Sequence, residues 1–252
     1  MRLRDRNVWL IGASTGIGAA LAPKLAAAGA RLALSARSEP QLREVGAGCS
    51  GEPPAVLPLD VTEEGAIERA ADELRTARGA IDVLIYNAGA WVPVDLEDFD
   101  VPAFERQIAV NYTGMVRAIG AVLPEMVARR GGDIVGVGSV SAYGAFPRAE
   151  AYGSTKAAVN YLLQALRIDA RRYGIGVTTV NPGFVRTPLT EQNDFPMPFL
   201  IEPEAAAETI VRGLLADHDE IHFPLRLSLP LKVLTALPRP IYEWAVRRAL
   251  KR

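Results

Sequence analysis

Tyr152 and Lys156 stand four residues apart in Ala151-Tyr152-Gly153-Ser154-Thr155-Lys156-Ala157-Ala158-Val159, a spacing that a helix places on one face. A free phenol has a pKa near 10, and bringing it to about 7 takes roughly 4 kcal/mol. An ammonium ~4 Å away at an effective dielectric of ~20 supplies about that much. The expectation is a tyrosine that gives and takes a proton near neutral pH. Taken alone, the spacing also reads as an exposed i, i+4 contact on a surface helix, so the pair gains meaning only from what must surround it.

Far upstream, Asn7-Val8-Trp9-Leu10-Ile11 reads as a short buried strand that runs into Gly12-Ala13-Ser14-Thr15-Gly16-Ile17-Gly18 and then an alanine-rich helix ending at Gly29. Strand, glycine turn and helix start are what a dinucleotide site requires. Gly12 permits the tight turn, Gly16 lets backbone approach a pyrophosphate, Gly18 lets helix and strand pack closely, and the helix N-terminus attracts phosphate. The spacing is Gly-x-x-x-Gly-x-Gly, not the commoner Gly-x-Gly-x-x-Gly, and the same glycines could serve only as a turn. Pro23 inside the helix predicts a local kink.

Apolar β-branched runs at 31–35, 55–59, 83–86, 134–137, 177–180 and 220–223 alternate with helical stretches at 41–45, 63–77, 104–129, 151–173 and 203–216. The alternation predicts an α/β fold, a doubly wound parallel sheet of about seven strands with helices on both faces. In such sheets ligands lie at the carboxyl ends of the strands. The glycine turn, Asp60, Asn87, Ser139 and Asn181 all follow strands, so the motifs converge on one edge.

With Gly12-x-x-x-Gly16-x-Gly18, Asn87-Ala88-Gly89, Asn111, Ser139, Tyr152-x-x-x-Lys156 and Asn181-Pro182-Gly183 in that order, the chain resembles the short-chain dehydrogenase/reductase family over about residues 8–187. Ser139 lies thirteen residues before Tyr152, as that family's pattern requires. Ile11 departs from it, since the family usually has Thr before the first glycine; the change removes a hydroxyl from the turn but no catalytic group. The resemblance implies a nicotinamide-dependent oxidoreductase, with hydride passing between cofactor and a carbonyl or alcohol while Tyr152 donates or accepts the proton. It gives Lys156 two jobs, lowering the Tyr152 pKa and holding the nicotinamide ribose. Ser139, with Ser141 as a nearby rival, would bond the substrate oxygen, and Asn111 would help hold a water that relays protons to Lys156. The turn residues Gly12, Ser14, Thr15, Gly16, Ile17 and Gly18 would hold the pyrophosphate, and Asp60 and Val61 would flank the adenine, unless Asp60 is only a turn residue. Asn87, Ala88 and Gly89 would close over the cofactor, and Pro182, Gly183, Val185 and Thr187 would contact the nicotinamide side. A homodimer or homotetramer through the Asn111 and Tyr152 helices is implied as well.

About eighteen residues after Gly18, Ser35-Ala36-Arg37-Ser38 offers no acidic side chain to a ribose 2′-hydroxyl. Arg37 instead suits a 2′-phosphate, with Ser35 or Ser38 as hydroxyl donors, so the expected cofactor is NADP(H). Loops at 90–94, 141–150 and 184–200 should supply substrate contacts. Trp91, Tyr143, Phe146, Phe184, Phe195, Met197 and Phe199 would line a pocket for a hydrophobic aldehyde, ketone or secondary alcohol, although core packing accounts for any one of them. The loop at 187–201, with Pro188, Pro196 and Pro198, reads as a lid.

At 252 residues, 49% apolar, the chain buries one sizeable core. The reading is a dinucleotide-binding and catalytic domain at 1–223, with 224–252 as an apolar and basic helical extension of it. Basic and acidic residues number 28 and 29, so no overall field favours nucleic acid. Lone Cys49 suits a reducing cytoplasm; His218 and His222, the two histidines, read as exposed residues beside a short strand and argue against a metal site. Arg2, Arg4 and Arg6 precede an apolar run too short for a signal peptide. Beyond Pro224, Pro230, Pro238 and Pro240 break the chain into helices too short to span a bilayer. That segment could cover a partner subunit or the substrate site, or lie on a membrane surface with Arg226, Lys232, Arg239, Arg247 and Arg248 near headgroups. The alternative to an enzyme is a silent NADP-binding sensor or scaffold.

Overall fold

A computed structural model describes residues 1–250. Strand β1 (Asn7–Ile11) is buried at all five positions, as a parallel strand covered on both faces must be. Six more strands join it in parallel: β2 (Arg31–Ser35), β3 (Ala55–Val56), β4 (Val83–Tyr86), β5 (Gly132–Val137), β6 (Ile175–Pro182) and β7 (Glu220–Phe223). Their order is β3-β2-β1-β4-β5-β6-β7, the expected doubly wound arrangement.

Because strand side chains alternate between faces, Trp9, Ile11, Leu84 and Tyr86 enter one core with α3 (Ala66–Arg78), α5 (Gly114–Arg129) and α6 (Glu150–Ala170). Val8, Leu10, Val83 and Ile85 enter the other with α1 (Gly16–Ala27), α2 (Glu39–Ala47) and α8 (Pro203–Leu215). Strand β1 pairs with β2 on one side and β4 on the other, so successive crossovers leave it in opposite directions and open a crevice beyond its carboxyl end.

Several boundaries differ from the sequence expectation for local reasons. The run at 55–59 keeps only two strand residues: Leu57 and Leu59 still donate to Leu34 and Ala36 at 3.0 Å, but Pro58 between them has no N–H to give. Helix α3 starts at Ala66 instead of residue 63, after Gly65 takes a left-handed φ of 72°. Helix α1 continues through Pro23 to Ala27, where the sequence predicted a kink.

The helix expected at 104–129 is two helices, α4 (Val101–Ile108) and α5, joined by a π turn at Ala109–Thr113. The hydroxyl of Tyr86 donates to the Val110 carbonyl inside that turn at 2.6 Å, and Gly114 makes room for that phenol, whose ring carbon would lie 3.3 Å from any added Cβ. π turns of this kind recur at functional sites. This one carries Asn111.

Candidate active site

The crevice is a cleft of about 1260 Å³ lined from the glycine turn across Asn87-Ala88-Gly89 to Ser139, Tyr152 and Lys156, and on to Pro182, Gly183, Val185 and Thr187. Gly12 has φ of 87° and lies so close to the β4 end that an added Cβ would meet Ala88 Cα at 2.7 Å and Asn87 C at 2.9 Å. Gly16 has φ of 55°, and a Cβ there would strike the Thr187 side chain at 2.8 Å. Gly18 does not line the cleft; its missing side chain lets α1 close onto the turn, where a Cβ would meet Asn87 Nδ2 at 2.7 Å. Asn87 fastens the two strands, its N–H donating to Ile11 O at 2.8 Å and its Nδ2 to Gly12 O at 2.7 Å. Ser14, Thr15 and Ile17 complete this wall. Its N–H groups at a helix start suit a pyrophosphate.

At the far end of the same wall, Arg37, Ser38, Asp60 and Val61 line the cleft, with Arg37 exposed. Asp60 accepts from the Thr62 N–H at 2.8 Å and the Thr62 hydroxyl at 2.7 Å. The Thr62 hydrogen bonds, with a smaller contribution from the Arg37 guanidinium, hold its carboxyl below the ordinary carboxylate range. Asp60 is thus a turn former that also faces the cleft. Ser35, one of the two hydroxyls expected beside Arg37, does not line the cleft. It is fully buried, and its hydroxyl is held at 2.9 Å by the Trp9 indole N–H.

Tyr152 and Lys156 share the start of α6, and Lys156 is 3% exposed, which removes the reading of a surface contact. Lys156 Nζ donates to the Val137 carbonyl at 2.8 Å and lies 5.6 Å from the Tyr152 ring centre. The electrostatic balance differs from the sequence expectation of a phenol lowered to about 7. Burial pushes the Tyr152 phenol up to about 12, only partly opposed by the Ser139 hydroxyl, and pulls the Lys156 amine down to about 8. Taking each group out of water dominates its titration. Near neutral pH the phenol is a reservoir of one proton and the amine is poised close to its own titration.

Ser139 caps the 3₁₀ turn Val140–Ala142 by accepting from Ser141 N–H at 3.1 Å. Its own N–H donates to Asn181 Oδ1 at 3.0 Å. The rival Ser141 does not line the cleft, and its buried hydroxyl has no partner among the described residues. Asn111 is fully buried and does not line the cleft either. Its Oδ1 accepts from Ala90 N–H at 2.7 Å, while Nδ2 donates to Ala90 O at 2.9 Å and Thr155 Oγ1 at 3.0 Å. With both amide hydrogens committed, this side chain is a brace between the 87–90 segment and α6 and has no donor left for a relay water. Thr155, between Tyr152 and Lys156, was the unread partner; its place in the four-residue spacing was the available signal.

None of the seven side chains expected to line a substrate pocket lines the cleft. Trp91, Phe184 and Phe195 instead tie together the segments that frame it. Trp91 packs edge-on against Tyr152 at 5.2 Å and donates from its indole to Asn193 at 2.8 Å, while Gln192 donates to Trp91 O at 2.8 Å. Phe184 packs on Phe195 at 6.1 Å. These ties bring the segment after the short helix α7 (Pro188–Glu191) over the cleft, whose apolar wall there is Val92, Val185, Pro188 and Leu189.

A second polar hub stands behind Ser139. Glu220 accepts from Tyr143 Oη at 2.7 Å, Asn181 Nδ2 at 3.0 Å and Lys232 Nζ at 2.6 Å. Burial raises the Glu220 pKa, but its hydrogen bonds from Lys232, Tyr143 and Asn181 outweigh this and leave it below the ordinary range. His222, predicted exposed, is half-buried and shares a 2.8 Å hydrogen bond with Ser228.

A model of the family described as short chain dehydrogenase matches residues 6–196. An uncharacterized oxidoreductase of Myxococcus xanthus is 35% identical over 248 residues, covering 96% of this chain and 97% of that one. Among solved structures, a short-chain dehydrogenase from Sphingobium yanoikuyae in complex with NADPH aligns with TM-score 0.81 at 29% identity, over 91% of this chain and 92% of the other. A gluconate 5-dehydrogenase from Burkholderia cenocepacia in complex with NADP and tartrate aligns with TM-score 0.78 at 27% identity, over 88% and 94%. With its glycine-turn cleft, half-buried tyrosine and buried lysine already in place, the chain belongs to the short-chain dehydrogenase/reductase family of oxidoreductases.

Proposed function

We propose that this oxidoreductase uses NADP(H) to interconvert a hydrophobic carbonyl compound and its alcohol. The observation that carries the reading is the convergence of Ser139, Tyr152 and Lys156 on one cleft with the glycine turn at its other end. The fit to a dinucleotide rests on Gly12 and Gly16, where side chains would fill the cradle. Gly12 to Gly18 would hold the pyrophosphate, Asp60 and Val61 the adenine, Asn87 to Gly89 and Lys156 the nicotinamide ribose, and Pro182, Gly183, Val185 and Thr187 the nicotinamide. When bound, the nicotinamide supplies or accepts the hydride.

Ser139 directs its hydroxyl to the substrate oxygen, because its acceptor side is already occupied by Ser141 N–H. Tyr152 gives that oxygen its proton during carbonyl reduction. Lys156, while charged, steadies the phenolate left behind. Asn111 braces Ala90 and Thr155 and so fixes the distance between the two cleft walls. The apolar rim of Val92, Val185 and Leu189 favours an apolar substituent on the substrate.

Arg37 carries the preference for NADP(H), through a guanidinium matched to a 2′-phosphate; the NADP and NADPH complexes of the Burkholderia and Sphingobium relatives accord with it. Arg37→Asp is expected to weaken NADPH about 100-fold, or ~3 kcal/mol, while NADH changes little. Fluorescence titration of both nucleotides measures this, and equal losses would remove the assignment. Exposed Ile108, Val116, Tyr161 and Ile168 on α4, α5 and α6 support a homo-oligomer through these helices, and the lone Cys49 supports a reducing, cytoplasmic setting. The function is tested by following NADPH absorbance against a panel of hydrophobic aldehydes, ketones and quinones. Consumption with at least one carbonyl is expected; tight NADPH binding with no consumption across the panel would favour the silent sensor.

A further inference from the structure

Charge is unevenly divided along this nearly neutral chain. Seven of its 28 basic residues but only one of its 29 acidic residues lie from Pro224 onward, so the first 223 residues hold 21 basic and 28 acidic ones. The basic end folds as α9 (Leu225–Thr235) and α10 (Arg239–Leu250). Lys232 Nζ stands 5.1 Å from the Tyr143 ring centre, and Tyr242 Oη donates to Ala145 O at 2.6 Å, so both helices lean on the loop that follows Ser139.

Their outer surface is apolar. Leu225, Leu229 and Val233 follow each other at i, i+4 and i+8 along α9 and are 57%, 49% and 66% exposed, a single stripe by helical periodicity. The connection and the first residues of α10, from Ala236 to Ile241, are exposed at each position, Leu237 and Ile241 included. On α10, Trp244 is 60% exposed and the Arg248 guanidinium stands 5.6 Å from its ring. Arg226, Arg239, Arg247 and Arg248 are exposed beside these groups; Glu243, the one acid, pairs with Arg239 at 2.8 Å and Arg247 at 3.8 Å. No helix among the described residues is long and apolar enough to cross a membrane.

We propose that α9 and α10 form a docking surface for an anionic lipid membrane. The apolar stripe and Trp244 enter the boundary between headgroups and acyl chains, and the arginines meet lipid phosphate and carboxylate groups. Charge complementarity selects this occupant. A two-fold contact between copies would set two strongly basic segments against each other, and a head-to-tail contact with the acidic body would not stop at a pair but would run on to a closed ring or a filament. Docked in this way, the hairpin lies beside the loop following Ser139, which would place the cleft near a reservoir of apolar molecules. The docking itself does not depend on the reaction proposed above.

Flotation of the full-length protein with vesicles tests it, using phosphatidylcholine alone and phosphatidylcholine with roughly a third phosphatidylserine, at low and high salt. Binding is expected to the anionic vesicles, weakened by salt. Arg247→Glu with Arg248→Glu should reduce it about tenfold or more, and Leu229→Ser with Val233→Ser should reduce it at every salt concentration. Far-UV circular dichroism and the thermal midpoint, both unchanged from wild type, report that each variant is folded. The proposal fails if the wild-type chain stays with neither vesicle, if binding ignores lipid charge and the arginine changes, or if sedimentation shows that the leucine and valine changes break a self-association instead.

Discussion

Tyr152→Phe is expected to lower kcat by about a thousandfold or more while leaving the Kd for NADPH within about twofold. The magnitude is that of one positioned acid, and the asymmetry follows from what the substitution spares. Phe keeps the edge-on contact with Trp91 and the ring beneath which Lys156 sits, 5.6 Å from its centre, and removes a single oxygen that would face the substrate. Retained turnover would refute Tyr152 as the donor. A loss of NADPH binding equal to the loss in rate would instead mean that the hydroxyl builds the cofactor site.

The pH dependence sharpens this result. Burial holds the Tyr152 phenol at about 12 and the Lys156 amine at about 8 in the free protein, so the donor keeps its proton across the neutral range and the amine is the group that titrates. As pH rises through about 8, Lys156 loses the charge that steadies the phenolate, and carbonyl reduction should slow. Below that pH the rate should be flat. A profile that falls instead as pH drops from 8 to 6 would contradict this division of labour.

The second large effect is expected at Gly12→Ala. A non-glycine residue at φ of 87° carries roughly 1–2 kcal/mol of backbone strain. The new methyl would also press on the backbone of Asn87 and Ala88, at 2.9 and 2.7 Å from the nearest carbons, and overpacking of this sort costs typically 1–3 kcal/mol. A combined loss of about 3 kcal/mol should lower Tm by roughly 6–12 °C for a domain this size. NADPH affinity should drop with it, because Asn87 Nδ2 reaches Gly12 O and any shift opens the cradle. Calorimetry and nucleotide titration measure both, and an unchanged Tm would mean that the β1 and β4 ends part more easily than their hydrogen bonds imply.

What could be read in the residues, and what could not, divides by the range of the interaction. The strand, glycine turn and helix at 7–29 are specified by neighbours a few positions apart, as are Ser139, Tyr152 and Lys156, and all of these meet in the cleft. The bracing contacts of Asn111 could not be read locally, because its partners Ala90 and Thr155 and the Tyr86 phenol that bonds Val110 O in its π turn come from 21, 44 and 24 positions away. Ser35 looked accessible beside Arg37, but the fold buries it against Trp9, 26 residues earlier, whose indole N–H donates to its hydroxyl oxygen. Glu220 had no local signature, since its donors come from Tyr143, Asn181 and Lys232. The phenol and amine were misjudged for the same reason. Spacing predicts that they approach each other, whereas the burial that dominates their titration belongs to the finished fold.

The most direct test of hydride transfer uses NADPH deuterated on each face of nicotinamide C4 in turn, mixed with a carbonyl that the enzyme consumes, followed by mass spectrometry of the alcohol. One of the two labels should appear as a single deuterium on the carbinol carbon, with the rate of its appearance lost in Tyr152→Phe. An alcohol free of deuterium from both labelled forms would contradict the account.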